Sequence, residues 1–337
     1  MSAPDTFVFV FNRILDFTAM FSTVVNVLTI VIVLRHTPSN IRNFSKLILN
    51  IVLWNFGANL ACAFGHPYPM FPALCFRLDG ILSYFDSEVF GHLVVMFLIL
   101  VITNVGFGIF LSFHFRYMAI AKSKQLSHLR PQWGYAYCIS VHVFFSCAYF
   151  ILYYHWTVPV KHYPHPEQIP DTESLVCFHP EGIRKSLIVA IYAAFIFFVV
   201  CSVIAFLALS LAKLHHNRKF MSERTLRTQK VLLINLFVLT AIPLFIGGLP
   251  FFGAVLTIYL SDWQYAQVVC AICILVLLNH GPIMCIATLV MFRHYRIAVE
   301  NIVLRMMGKS TSRTCVVQAT MFSKVSFIAK TNKMTMY

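Results

Sequence analysis

Seven stretches of this chain are apolar for long enough to cross a bilayer, which takes about 20 residues of α-helix. They run over 14–34, 47–64, 89–113, 133–154, 187–211, 231–260 and 265–292. Apart from Asp16 near the start of the first, none contains Asp, Glu, Lys or Arg. In hydrocarbon every backbone N–H and C=O must be paired inside the protein, so a run of this length is read as a helix. The second stretch is short, and the Pro-rich segment after it is expected to complete the crossing. Pro243, Gly247, Gly248 and Pro250 sit inside the sixth, where a membrane helix tolerates them and a soluble one does not. A water-soluble fold is excluded by composition. Apolar residues make up 59% of the chain and charged ones 11%, against about 25% charged in soluble domains.

Charge sets the orientation. Of 26 Lys and Arg, 21 lie in segments 35–46, 114–132, 213–230 and 293–337, with Glu223 and Glu300 as the acids among them. The alternate segments hold Arg13, Arg77, Lys161, Arg184 and Lys185 with nine acids. Lys and Arg are retained on the cytoplasmic side, so the first group is expected inside and the amino terminus outside. The formal charge of +14 therefore reads as membrane topology and attraction to anionic lipid, with no nucleic-acid partner. The first stretch lacks a small-residue cleavage site and is expected to remain as an anchor.

The expected architecture is all-α and membrane-embedded: a seven-helix bundle over residues 1–308, its carboxyl end cytosolic. Polar residues at 296, 300, 301 and 305 with apolar ones between them suggest a short amphipathic surface helix over 295–307. Residues 309–337, rich in Ser, Thr and Lys, are expected to form a disordered tail.

Three groups of residues carry a family resemblance. Thr37-Pro38, followed by Leu47-Ile48-Leu49-Asn50 and Trp54, is similar to the "TP…LLN…W" signature around the second helix of nematode serpentine chemoreceptors. Pro67-Tyr68-Pro69-Met70-Phe71-Pro72 and Gly80 resemble the "PxPLFP…G" stretch of classes i and h of that Str superfamily. Asn279-His280-Gly281, leading to His294-Tyr295-Arg296, resembles the "HG…PYR" ending of helix seven, with His294 where the family usually has Pro. Helix three ends in 113–121, Phe-His-Phe-Arg-Tyr-Met-Ala-Ile-Ala, nearer to class i than to class h. The resemblance covers roughly residues 10–300. It implies a G-protein-coupled receptor for odorant or pheromone-like ligands, at the plasma membrane of a sensory cilium, with a heterotrimeric G protein as partner.

Each candidate residue has two readings. Arg116 with Tyr117 at the foot of helix three can hold helix six at rest and then meet the G protein, or can be one more basic residue on the inner side. Arg116 is expected to face the basic run Arg218, Lys219, Arg224, Arg227 and Lys230, with Arg224 and Arg227 as further coupling residues. Tyr295 and Arg296 fix the exit from helix seven, or are an ordinary interfacial pair. Cys75 and Cys177 are the two outer cysteines, and they form a disulfide or remain free thiols. The polar residues at depth are Asn50, Asn59, Asn104, Asn235, His92, His142, Asn279 and His280. Of these His92 has the best claim to face a ligand, while interhelical hydrogen bonds are the expected role of the rest.

No metal or cofactor is implied, since His155, His162, His165 and His179 lack ligand spacing. An enzyme would want an acid/base or metal cluster at depth, and none is present in the apolar stretches. A transporter of a small solute is the alternative to a receptor, with the Pro/Gly run of helix six in its favour and the lack of an internal repeat against it. An insect-type odorant channel would have the opposite orientation. The walls, rich in Phe and aliphatic residues, suit a small apolar ligand.

The orientation is tested by glycosylation. The Asn43-Phe44-Ser45 sequon falls in the first inner loop, so the expressed protein should show no mobility shift with an N-glycosidase. A shift abolished by Asn43→Gln would invert the topology.

Overall fold

A computed structural model describes residues 5–38, 41–85, 87–122, 130–169, 174–220 and 222–308. The tail at 309–337 lies outside the described residues. Seven helices are long and apolar enough to cross a membrane: α1 (Asp5–His36), α2 (Arg42–Gly65), α3 (Glu88–Ala121), α4 (Pro131–Trp156), α5 (Gly182–His216), α6 (residues 223–259) and α7 (Ala266–Met291). An eighth helix, α8 (Arg293–Met306), follows. The protein is a multi-pass membrane protein. Its outer shell is correspondingly apolar: Phe17, Val24, Phe144 and Phe197 all stand exposed on the helix faces.

Most helices run past their apolar cores, because local signals rather than hydropathy end them. Ser87 caps α3 by accepting from Phe90 N at 3.4 Å, Ser222 caps α6 by accepting from Thr225 N at 3.3 Å, and Pro131 opens α4. The length missing from the second apolar stretch comes from its amino-terminal side, starting at Arg42. The Pro-rich segment does not extend α2. The chain turns at His66 in a left-handed conformation, φ 45°, and enters a strand.

That strand, β1 (Pro67–Pro69), pairs with β2 (Cys75–Leu78), which pairs in turn with β3 (Leu175–Cys177) between α4 and α5. All pairings are antiparallel, and β1 is an edge, where proline's missing N–H costs no ladder bond. Gly80 closes the hairpin against α2, and a Cβ there would fall 2.2 Å from Phe64 O. Cys75 lies opposite Cys177 in the sheet and is disulfide-bonded to it. Around that bond Ala73, Val158, Tyr163 and Leu175 form a small core of their own. The sheet is thus a cap across one end of the bundle. Asp79 ties it to α1 by accepting from Asn12 at 3.0 Å, and Arg77 pairs with the same carboxylate. His66 Nε2 lies 3.4 Å from Asp16 Oδ1. Burial holds that imidazole below its ordinary pKa although Asp16 and Asp79 pull the other way.

Within the bundle α7 is the central helix, with 50% of its most apolar window buried, and α4 the most peripheral, with 11%. α3 packs against α2, α4, α5 and α6, and α7 against α1, α2 and α6. α6 is not one regular helix. Between Glu223–Ile242 and Leu249–Tyr259 it widens into a π-helical turn, Pro243–Gly248. Pro243 and Pro250 lack the N–H that a continuous α-helix needs there, and a wide turn accommodates the gap.

The disulfide carries a test. Cys177→Ser should lower surface expression, and adding Cys75→Ser should lower it little further. Additive losses in the double mutant would mean that the two thiols act independently.

Candidate functional site

Beneath the cap, α2, α3, α5, α6 and α7 leave a cavity of about 120 Å³. Pro67, Phe76, Trp156 and Phe178 roof it, and Val95, Ile99, Tyr192 and Phe251 are among its walls. A second lobe of about 70 Å³ lies deeper and reaches Pro243, Leu244, Gly247 and Gly248, the π-helical turn of α6. Asn55, Ala58, Ile102, Phe251, Leu277 and His280 border both lobes. Together the lobes are of the order of the cavity, about 150 Å³, that takes up benzene in an engineered core.

Asn55 and His280 are the polar groups common to the two lobes. Asn55 is 1% exposed, and its Oδ1 has no hydrogen-bond partner among the described residues. His280 Nδ1 bonds to Leu277 O, one turn back. Gly281 lets α7 press on α2 at this level, since a Cβ would stand 3.0 Å from Asn59 Nδ2 and 3.4 Å from Asn55 Cβ. Asn279 is spent within its own helix, donating to Leu275 O at 2.8 Å. His280 is among the polar residues at depth that the sequence singles out, and Asn55 is not. One intramembrane Asn looks like another until its partners are known.

His92, the residue with the best sequence claim on a ligand, does not line the cavity. Its Nδ1 lies 3.1 Å from Tyr153 Oη, and Tyr153 donates back to the His92 carbonyl at 3.0 Å. With Phe178 packed edge-on at 5.7 Å, it joins α3 to α4 under the cap.

Three of the other polar residues, Asn50, His142 and Asn104, bond across helices. Asn50 Nδ2 donates to His142 Nε2 at 3.2 Å, which leaves the imidazole proton on Nδ1 for Asn104 Oδ1. Asn104 Nδ2 then donates to Ser146 Oγ at 2.9 Å. Trp54, one turn from Asn50, lies against the same imidazole at 5.4 Å. The Asn and Trp of the second-helix signature therefore grip one histidine of α4.

At the basic end of the bundle Arg116 is buried. It does not face the basic run, which is exposed at Arg218, Lys219, Arg227 and Lys230. Its Nη2 donates instead to the backbone and side-chain oxygens of Gln229 on α6, 3.0 Å to the former. A buried guanidinium needs acceptors, and a neutral amide supplies them here where another cation cannot. Tyr117 packs on Phe206 of α5 at 5.8 Å. The Arg224 side chain lies outside the described residues.

Tyr295 is fully buried, and its hydroxyl lies 2.7 Å from Ser45 Oγ and 2.9 Å from Thr37 Oγ1. Thr37 gives its proton to Val33 O, so Tyr295 donates to Thr37 and accepts from Ser45. This chain joins the start of α8 to α1 and α2. Arg296 stays exposed and donates to Val290 O at 3.1 Å. Phe292, Tyr295 and Ala298 turn the buried stripe of α8 onto the bundle.

A family model described as serpentine type 7TM GPCR chemoreceptor Srh matches residues 8–305. No curated protein matches the chain. The match falls on class h, one of the two classes that the hairpin motif resembles.

Tyr295→Phe removes both hydroxyl contacts and leaves Ser45 without its acceptor. It should destabilise the detergent-solubilised protein by about 1–2 kcal/mol, the worth of one or two buried hydrogen bonds. Thermal melting beside the wild type checks this, and an unchanged melting temperature would refute it.

Proposed function

The chain belongs to the Srh family of serpentine seven-transmembrane G-protein-coupled chemoreceptors, a family of receptors rather than enzymes, and on that footing we propose how it signals. A small, largely apolar ligand enters from the side outside the cytosol and occupies the two-lobed cavity. A heterotrimeric G protein engages the basic end, which faces the cytosol by the positive-inside rule. By family resemblance the membrane is that of a sensory cilium.

One observation carries this reading: a single helix touches both ends of the task. The deeper lobe borders the π-helical turn of α6, and Gln229 near the foot of the same helix holds Arg116 of α3. Wide turns with proline are where membrane helices bend. A ligand that fits better when the turn is displaced biases α6 toward a second position by its differential affinity. In that position Gln229 leaves Arg116. The freed guanidinium suits an acidic Gα surface, a terminal carboxylate in particular, and Tyr117, Arg224 and Arg227 are proposed as further coupling residues. At rest a neutral amide occupies the guanidinium, so opening breaks no ion pair.

The test uses both partners of the contact. Gln229→Leu should raise ligand-independent signalling by about tenfold, because hydrogen bonds from a charged donor are worth about 1.5–3 kcal/mol and 1.4 kcal/mol is a factor of ten. Arg116→Ala should fold and reach the surface yet lose ligand-driven signalling. Reversing charge at Arg224 and Arg227 should weaken coupling in a salt-dependent way. The readout is G-protein activation at matched surface expression, and normal signalling by Arg116→Ala would refute the mechanism.

A further inference from the structure

We infer that the cavity takes a compact hydrocarbon of about benzene size, with no hydrogen-bonding group, and selects it by fit alone. This rests on the receptor reading and adds the chemical class of ligand to it. What the walls present decides the class. Among the described residues no Asp, Glu, Lys or Arg borders either lobe, and both lobes are walled almost entirely by carbon. Residues with polar groups do border the space, but they turn those groups elsewhere. Trp156 donates its indole N–H to His179 O at 3.3 Å. His280 Nδ1 bonds to Leu277 O of its own helix. Asn55 Nδ2 is directed at the Met284 sulfur at 4.0 Å, and its Oδ1 is enclosed by protein, out of reach of an occupant.

An occupant therefore loses its solvent shell and gains dispersion contacts, with no donor, acceptor or counter-charge in return. An alcohol would leave its proton without an acceptor. A ketone, aldehyde or ester would leave its oxygen without a donor. An ammonium or carboxylate would have no counter-ion, the costliest case of the three. Water is no better an occupant, since an apolar cavity of this order stays dry and takes up apolar guests. A hydrocarbon loses nothing on entry. Fit then remains as the basis of selection, and Ala58 marks where it is set. It is the smallest of the side chains that border both lobes, and it is buried, so added bulk there falls into the space between them.

The experiment uses the full-length protein in lipid nanodiscs and compares ethylbenzene, benzyl alcohol, benzaldehyde and 1,3,5-triisopropylbenzene. Affinity is read from the rise in melting temperature over a titration. It is referred to each probe's concentration in the bilayer, measured on nanodiscs without the protein, which removes plain partitioning. Ethylbenzene should then bind about tenfold tighter than the alcohol or the aldehyde, the discrimination that one stranded polar group imposes. Triisopropylbenzene, equally apolar but too large for the two lobes, should not bind. In Ala58→Leu the binding of ethylbenzene should be lost. An alcohol or aldehyde that matches ethylbenzene, triisopropylbenzene that binds as well, or ethylbenzene that binds Ala58→Leu undiminished each overturns the proposal. So does failure of ethylbenzene to bind the wild type. The wild-type ranking decides the matter even if Ala58→Leu does not fold. No G protein takes part, so a failed ranking is distinguishable from a failed receptor reading, which only the coupling assay tests.

Discussion

Hydrocarbon offers no hydrogen-bond partner, and the arrangement of this bundle follows from that. The backbone answers by becoming helical across seven spans. The polar side chains must find one another instead. Asn50, His142, Asn104 and Ser146 form one such chain across α2, α3 and α4, and Ser45, Tyr295 and Thr37 form another across α1, α2 and α8. In both, one hydroxyl or imidazole proton settles the direction of every bond in the chain. Such contacts do more for position than for raw stability, since lipid is as apolar as a leucine side chain and helices gain little by hiding from it. Among the described residues a few enclosed polar atoms find no partner, Asn55 Oδ1, Tyr68 Oη and Ser210 Oγ among them. Asn55 also borders the two-lobed space between the helices.

The two ends of the molecule are held differently. At the capped end a disulfide, a short sheet and a cluster of aromatic rings around Phe178 link α3, α4 and α5 to the hairpin after α2. A covalent bond cannot be exchanged for lipid or partner contacts, so this end suits a fixed roof over the cavity. At the basic end α3 and α6 meet through the hydrogen bonds of Arg116 to Gln229. These can be traded for others without covalent change. The π-helical turn lies between the two regimes.

Much of this was legible in advance, for identifiable reasons. A helix count depends on runs of apolar residues, which are local in sequence, and the surface helix depends on a local period. The Cys75 and Cys177 pair stood out because no other cysteine lay on that side. Three local motifs carried the family, and residues from each have structural work to do: Thr37, Asn50 and Trp54; Pro67 and Gly80; His280, Gly281 and Tyr295. Local pattern is silent where a partner lies far away along the chain. Pro67, Pro69 and Pro72 argue against a regular helix by themselves, but nothing local shows that 67–69 pairs with Cys75–Leu78. The bond of His92 to Tyr153 has no local signature, because Tyr153 is 61 residues away.

The sequence by itself determined that the chain spans a membrane seven times, which segments do so, and which family it belongs to. These follow from transfer energies and motifs that each residue carries wherever it lies. Tertiary structure alone decided which polar groups are satisfied. Arg116 met Gln229 rather than the basic run, His92 met Tyr153, and Asn55 Oδ1 met no partner among the described residues. A hydrogen bond depends on two atoms coming within about 3 Å in the right direction, and that distance is a property of how helices pack, not of the order in which they are written.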